Sequence, residues 1–122
     1  MYKIDLDNHS ARFQKISYNL AWLKEKGVAK LIKKKNKSVT AIILFGSFSK
    51  GENDNKSDLD LLTISLGRKD LSQEIGRILD CEVNLLNFTP AQWSKQAKHN
   101  RAFYIDVITD GIALYGQIPV VE

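Results

Sequence analysis

Ala41-Ile42-Ile43-Leu44-Phe45-Gly46-Ser47-Phe48-Ser49-Lys50-Gly51, followed after a polar loop by Ser57-Asp58-Leu59-Asp60-Leu61-Leu62, is the stretch from which the fold is read. An apolar run stops at Gly-Ser, and a second run opens on two aspartates one residue apart. A run of β-branched and large apolar residues bounded by Gly reads as a buried strand, here about 39–45. The loop 46–57 is rich in Gly, Asn, Ser and charge, and a strand over about 58–65 returns from it. Strands joined this way can pair antiparallel, which brings Ser47 near Asp58. Side chains two apart on a strand share a face, so Asp58 and Asp60 point the same way, on the order of 7 Å apart.

The chemistry follows from those residue types. Gly46 permits a positive φ or a close backbone approach, and Ser47 can offer its N–H and hydroxyl to a phosphate oxygen. Paired carboxylates are a seat for hard divalent cations, two Mg²⁺ ions roughly 3.5–4 Å apart being the common arrangement for phosphoryl chemistry. Lys50 is placed to reach phosphate. A third ligand is wanted on a neighbouring strand. The run Cys81-Glu82-Val83-Asn84-Leu85-Leu86 offers Glu82 and Asn84 on one face, Glu82 as the ionised ligand and Asn84 through its carbonyl oxygen. A phosphate cradle beside metal-binding acids points to phosphoryl or nucleotidyl transfer.

The remaining chain supplies the frame. Phe13, Ile16, Leu20 and Leu23 recur at helical steps over residues 10–26, with Ser10 as the expected N-cap and Gly27 as the break. Tyr18 and Trp22 on that helix are expected in the core. A helix follows over about 28–35, another over about 70–79, and a strand over 81–88. Thr89-Pro90 then announces a helix, Thr as N-cap and Pro at the first helical position. A last helix over about 101–109 ends at Gly111, and Ile112–Tyr115 reads as a closing strand. The order implies a small two-layer α+β fold, a three- to four-stranded mixed sheet with helices chiefly on one face.

Composition sets bounds. The 122 residues, 43% apolar and 26% charged, make one globular domain. The net charge of +4 is matched by Lys33, Lys34, Lys35 and Lys37 alone, so it reads as a solvated helix end, and nucleic acid is not expected as a partner. Cys81 is the single cysteine, which excludes an intrachain disulfide and suits a reducing cytoplasm. No apolar run approaches the ~20 residues of a membrane span, and Met1–Asp7 carries no signal-peptide core.

Leu44–Gly51 with Lys56–Leu62 resembles the signature of the minimal nucleotidyltransferases of the DNA polymerase β-like superfamily, relatives of the kanamycin nucleotidyltransferase domain. The likeness runs from about Val28 to Tyr115. Within it, Glu82–Leu86 looks like the third-carboxylate strand and Asp110–Gly116 like the closing segment. The resemblance implies a nucleotidyltransferase domain over 28–122 behind a helical extension over 1–27. It implies transfer of a nucleoside monophosphate, usually AMP from Mg²⁺-bound ATP, to a hydroxyl. Asp58, Asp60 and Glu82 would be catalytic, Gly46, Ser47 and Lys50 nucleotide-binding, and Asp58, Asp60, Glu82 and Asn84 metal ligands. Small stand-alone members often pair with a helical HEPN-type protein as antitoxin to toxin, and some adenylylate that partner. Lys50 replaces a common Arg, and Asn84 stands where a third aspartate would fall. The alternative function is therefore a catalytically weak, nucleotide-binding antitoxin or scaffold. The N-terminal helix is expected to pack in its own monomer or to dock a partner or a second copy.

Overall fold

The computed structural model describes residues 6–121, with side chains from residue 9 onward. Residues 1–5 of the N-terminal extension, and residue 122, lie outside the described residues. The described chain runs α1 (Leu6–Glu25), α2 (Val28–Lys35), β1 (Ala41–Phe45), α3 (Ser47–Lys50), β2 (Leu59–Ile64), α4 (Ser72–Leu79), β3 (Val83–Phe88), α5 (Pro90–His99), α6 (Arg101–Asp110) and β4 (Ile112–Tyr115).

The four strands form one mixed sheet in the order β3-β2-β1-β4. β1 pairs antiparallel with β2, from Ala41 opposite Ile64 to Phe45 opposite Asp60, as the loop between them led one to expect. β4 flanks β1 antiparallel, and β3 runs parallel to β2 after the α4 crossover. Alternation along the strands splits the core in two. Ile42, Leu44, Leu59 and Leu61 face α1 to α4, where Leu23, Val28, Ile32, Phe48, Ile75 and Leu79 meet them. Ala41, Ile43, Leu62 and Ile64 face Trp93 and Ala97 of α5 and Tyr104 and Val107 of α6.

The fold is thus small α+β on a four-stranded mixed sheet, and four of its six described helices share one face. The expected two layers gain a third, because α5 and α6 cover part of the opposite face. Their apolar stripes are indistinguishable in sequence from those of the other helices; only topology decides which face they meet. α5 starts on the expected cap, with the Thr89 hydroxyl accepting from the Gln92 N–H and the Gln92 side chain accepting from the Thr89 N–H. The chain after β4 closes over this layer, where the Trp93 indole donates to the Pro119 carbonyl at 2.7 Å.

Three local expectations need correction. Ser10 is no N-cap, because α1 begins at Leu6 and carries Ser10 inside it. Phe13 and Tyr18 are each 70% exposed, whereas Leu23 is buried. The first half of α1 rests on the turn after β1, where Arg12 and Ile16 back onto Gly51, and the helix is buried only from about Asn19. Trp22 does pack inward, stacked on Phe48 at 6.2 Å. The loop 46–57 also contains a turn of helix, α3, ended by Gly51 in the left-handed region.

Candidate active site

β1 delivers the chain to Gly46, whose φ of 74° and ψ of −151° belong to a region essentially reserved for glycine. The reason lies one strand away. A Cβ on Gly46 would overlap the Asp60 carboxylate, so the missing side chain is the space into which Asp60 fits. Ser47 opens α3 immediately after it. The first N–H groups of a helix have no intrahelical partners, which leaves this turn able to receive an anion. The Ser49 hydroxyl donates to the Gly46 carbonyl at 2.9 Å and fixes the turn from inside.

Asp58 and Asp60 reach the same end of the sheet through a second device. The Asp54 carboxylate accepts from the Lys56 N–H at 2.8 Å and from the Ser57 hydroxyl at 3.2 Å, a side-chain-stabilised turn that feeds the chain into β2. Those bonds hold the Asp54 carboxyl below its usual range. Asp58 is exposed just before β2, and Asp60 is half-buried within it. Asp60 shares its face with Phe45 opposite it, the face that α5 and α6 cover farther along the strands.

β3 supplies the remaining polar groups. Asn84 is the register partner of Asp60, and its amide donates to the Asp60 carboxylate at 3.0 Å. Glu82 lies one residue before β3, where its carbonyl accepts from the Leu59 N–H at 2.9 Å and extends the ladder. That pairing places Glu82 alongside Asp58. Burial, reinforced by the carboxylates of Asp58, Asp80 and Glu82, pushes the Cys81 thiol up, which disfavours a nucleophilic thiolate.

The structure therefore brings Gly46, Ser47, Asp60 and Asn84 together, with Asp58 and Glu82 at the same sheet end. It does not gather three carboxylates: among the described residues no three His, Cys, Asp or Glu side chains could hold an ion between them. Lys50 points to α6, where its ammonium donates to Asp106 at 3.0 Å. That hydrogen bond raises the Lys50 pKa against the opposing effect of burial, with further help from the charges of Asp106, Asp110 and Glu52. Asp106 lies 56 residues from Lys50, and no local spacing announces the pair.

The donor set fits Mg²⁺ bound together with a polyphosphate. Mg²⁺ commonly takes one or two carboxylates and completes its shell with phosphate and water oxygens. Asp58 and Asp60 would provide those carboxylates. Asn84, with its N–H groups turned to Asp60, adds no negative charge.

The nucleotidyltransferase domain family matches residues 25–113. No curated protein matches the chain. Among solved structures, the crystal structure of a toxin-antitoxin with AMP-PNP is 25% identical, with a TM-score of 0.60 over 76% of this chain and 73% of that one. A toxin-antitoxin MntA-HepT structure is 22% identical, with a TM-score of 0.54 over 79% of this chain and 73% of that chain. A protein from Shewanella oneidensis is 19% identical at a TM-score of 0.50, over 75% of this chain and 70% of its own. The last two likenesses are likenesses of fold.

Proposed function

The chain belongs to the nucleotidyltransferase domain family, and on that premise we propose that it transfers a nucleoside monophosphate, AMP from ATP, to a hydroxyl on a partner protein. The observation that carries the reading is the seating of Asp60 against the side-chain-free face of Gly46, which unites phosphate turn and carboxylate in one site. The likeness to a toxin-antitoxin with AMP-PNP supports an adenine nucleotide and an antitoxin role, and the sequence resemblance supplies the HEPN-type toxin as its target.

In this reading Gly46 and Ser47 receive the phosphates on backbone N–H groups and the Ser47 hydroxyl. Lys50, held by Asp106, supplies positive charge beside that turn. Asp58 and Asp60 hold Mg²⁺, with Asn84 orienting Asp60 and Glu82 contributing charge beside Asp58. When bound, Mg²⁺ would neutralise phosphate charge and lower the pKa of the acceptor hydroxyl. The chain's own residues align the α-phosphorus with the acceptor and stabilise the departing pyrophosphate. Residues 28–122 would carry this chemistry, with 1–27 as an extension. No described helix is long and apolar enough to cross a membrane, and a cytoplasmic setting would supply ATP and keep Cys81 reduced.

One observation favours a second reading. An amide at position 84 donates to Asp60 where a third carboxylate would add charge, which suits an antitoxin that binds nucleotide and acts mainly by holding its partner. ATP labelled in its α-phosphate, Mg²⁺ and a HEPN-type partner separate the two. Transfer of label to the partner, abolished by Asp58→Ala with Asp60→Ala, supports the enzyme. No label, with toxin inhibition intact in the double variant, supports the binder and overturns transfer.

A further inference from the structure

α1 crosses the turn that carries Ser47, and one polar side chain on its buried side makes the contact specific. Asn19 is 1% exposed and lies among Ile16, Leu20 and Leu23 at helical spacing, where a leucine would bury more apolar surface. A buried amide is costly unless hydrogen-bonded. The Asn19 amide donates to the Phe48 carbonyl at 3.0 Å and to the Asn53 side-chain oxygen at 2.9 Å. Asn53, 7% exposed, returns a longer bond of 3.5 Å to the Asn19 oxygen. Phe48 follows Ser47 directly in α3, and Asn53 lies beyond the end of that helix.

α3 needs outside support. A helix of four residues has no stability of its own, and its carbonyls have almost no intrahelical acceptor role to fill. Asn19 binds one of those carbonyls from the side. The α1 backbone also rests directly on the turn, since a Cβ on Gly51 would come within 2.7 Å of the Arg12 carbonyl oxygen. Trp22, three residues past Asn19, stacks on the Phe48 ring. Arg12 and Glu52 add only an exposed pair at 3.7 Å. Hydrogen bonds from Asn19 therefore fix both ends of the segment 48–53, and the segment fixes Ser47.

We infer that Asn19, through Phe48 and Asn53, is a positioning residue that holds the Gly46–Ser47 turn in its phosphate-receiving geometry. The inference rests on the nucleotide reading above. α1 on this account is part of the binding machinery and acts through α3. Apolar packing alone would set the height of α1 over the turn. The paired amides set its register as well, because two hydrogen bonds from one planar group tolerate little sliding.

Two variants test the inference. Asn19→Leu keeps the burial and removes the donors; Asn53→Ala removes one acceptor and leaves the Phe48 bond. Trp93→Ala, across the sheet from α1 and α3, serves as a destabilised control. Binding of Mg²⁺ with AMP-PNP is measured by calorimetry at a temperature where every variant is folded, and amide exchange is followed over residues 47–53. Loss of one to two hydrogen bonds predicts about tenfold weaker binding for Asn19→Leu, and less for Asn53→Ala. Exchange at 47–53 should quicken in both, and neither effect should appear in Trp93→Ala. AMP-PNP binding within twofold of wild type in both variants, or unchanged exchange at 47–53, overturns the inference. Wild-type protein that fails to bind AMP-PNP overturns the nucleotide reading itself, and the positioning role with it.

Discussion

Replacing Asn84 by aspartate would convert an amide donor into a second carboxylate facing Asp60. The present contact is a hydrogen bond of 3.0 Å, so Asn84→Asp exchanges attraction for repulsion at nearly the same separation. Two unit charges at that distance repel by about 1.4 kcal/mol in bulk water and about 5.5 at an effective dielectric of 20. Asn84 is exposed and Asp60 half-buried, so the watery end governs. Adding the lost hydrogen bond gives a cost of about 2 kcal/mol without metal. For a domain of this size that lowers Tm by about 5–10 °C. Mg²⁺ between the carboxylates would cancel the repulsion and return most of the loss. The assay is thermal unfolding of both proteins in EDTA and in Mg²⁺, with and without ATP. The variant should gain far more from Mg²⁺ than wild type does, and AMP transfer should rise if a missing charge limits turnover. Equal Mg²⁺ stabilisation of the two proteins would refute the reasoning, since it would mean that positions 60 and 84 do not share a cation.

Gly46→Ala forces a Cβ into the Asp60 carboxylate and a side chain into a glycine-only conformation; it should cost about 1–3 kcal/mol in denaturant unfolding and weaken nucleotide binding as well. The Lys50–Asp106 pair is partly exposed, so a double-mutant cycle should give a coupling of about 0.2–1 kcal/mol at neutral pH. Because the Lys50 pKa is raised in the folded state, that contribution is complete below the ordinary lysine value. It should disappear as pH rises through the higher folded value, and measuring the cycle on both sides of about pH 10.5 checks the sign. Trp93→Ala removes a side chain that is 1% exposed and should cost about 3–5 kcal/mol by the same unfolding assay, while leaving AMP-PNP affinity unchanged.

The centre of the site was legible because its geometry is local. Gly46 and Ser47 end one strand, Asp58 and Asp60 begin the next, and the short connection leaves antiparallel pairing as the natural outcome. Strand periodicity puts Asp60 on the face it shares with Phe45, while Asp58 stands one residue before β2 at the same sheet end. The same periodicity put Glu82 and Asn84 together, and parallel pairing sets them opposite Asp58 and Asp60. Contacts between distant elements were another matter. Asp106 is one of several acids on helical segments, and nothing near it in sequence points to Lys50. The faces of α5 and α6 were hidden for a similar reason: Trp93, Ala97, Tyr104 and Val107 make a stripe that would bury equally well on either side. Phe13 belongs to a regular apolar stripe, but it sits on the half of α1 that rests on the turn after β1, and it stays exposed.

Asn19 is the instructive intermediate. It stands among the apolar positions of its helix, and a polar residue there signals either a break in the stripe or a buried partner. Periodicity alone cannot choose, because the partner, Asn53, lies in a loop with no period. The structure resolves the choice through the Phe48 carbonyl. A four-residue helix has open carbonyls that need a donor, and a helix crossing above it can supply one at a fixed point. The same logic explains why Gly46 and Gly51 flank α3. One glycine admits Asp60 from the sheet side and the other admits α1 from the opposite side. The turn carrying Ser47 is thus compressed between a carboxylate and a helix backbone, with no side chain at either contact to keep them apart. Its conformation is set less by its own four residues than by the two elements that close on it, so a substitution in α1 should reach the Gly46–Ser47 turn sooner than one elsewhere at equal distance.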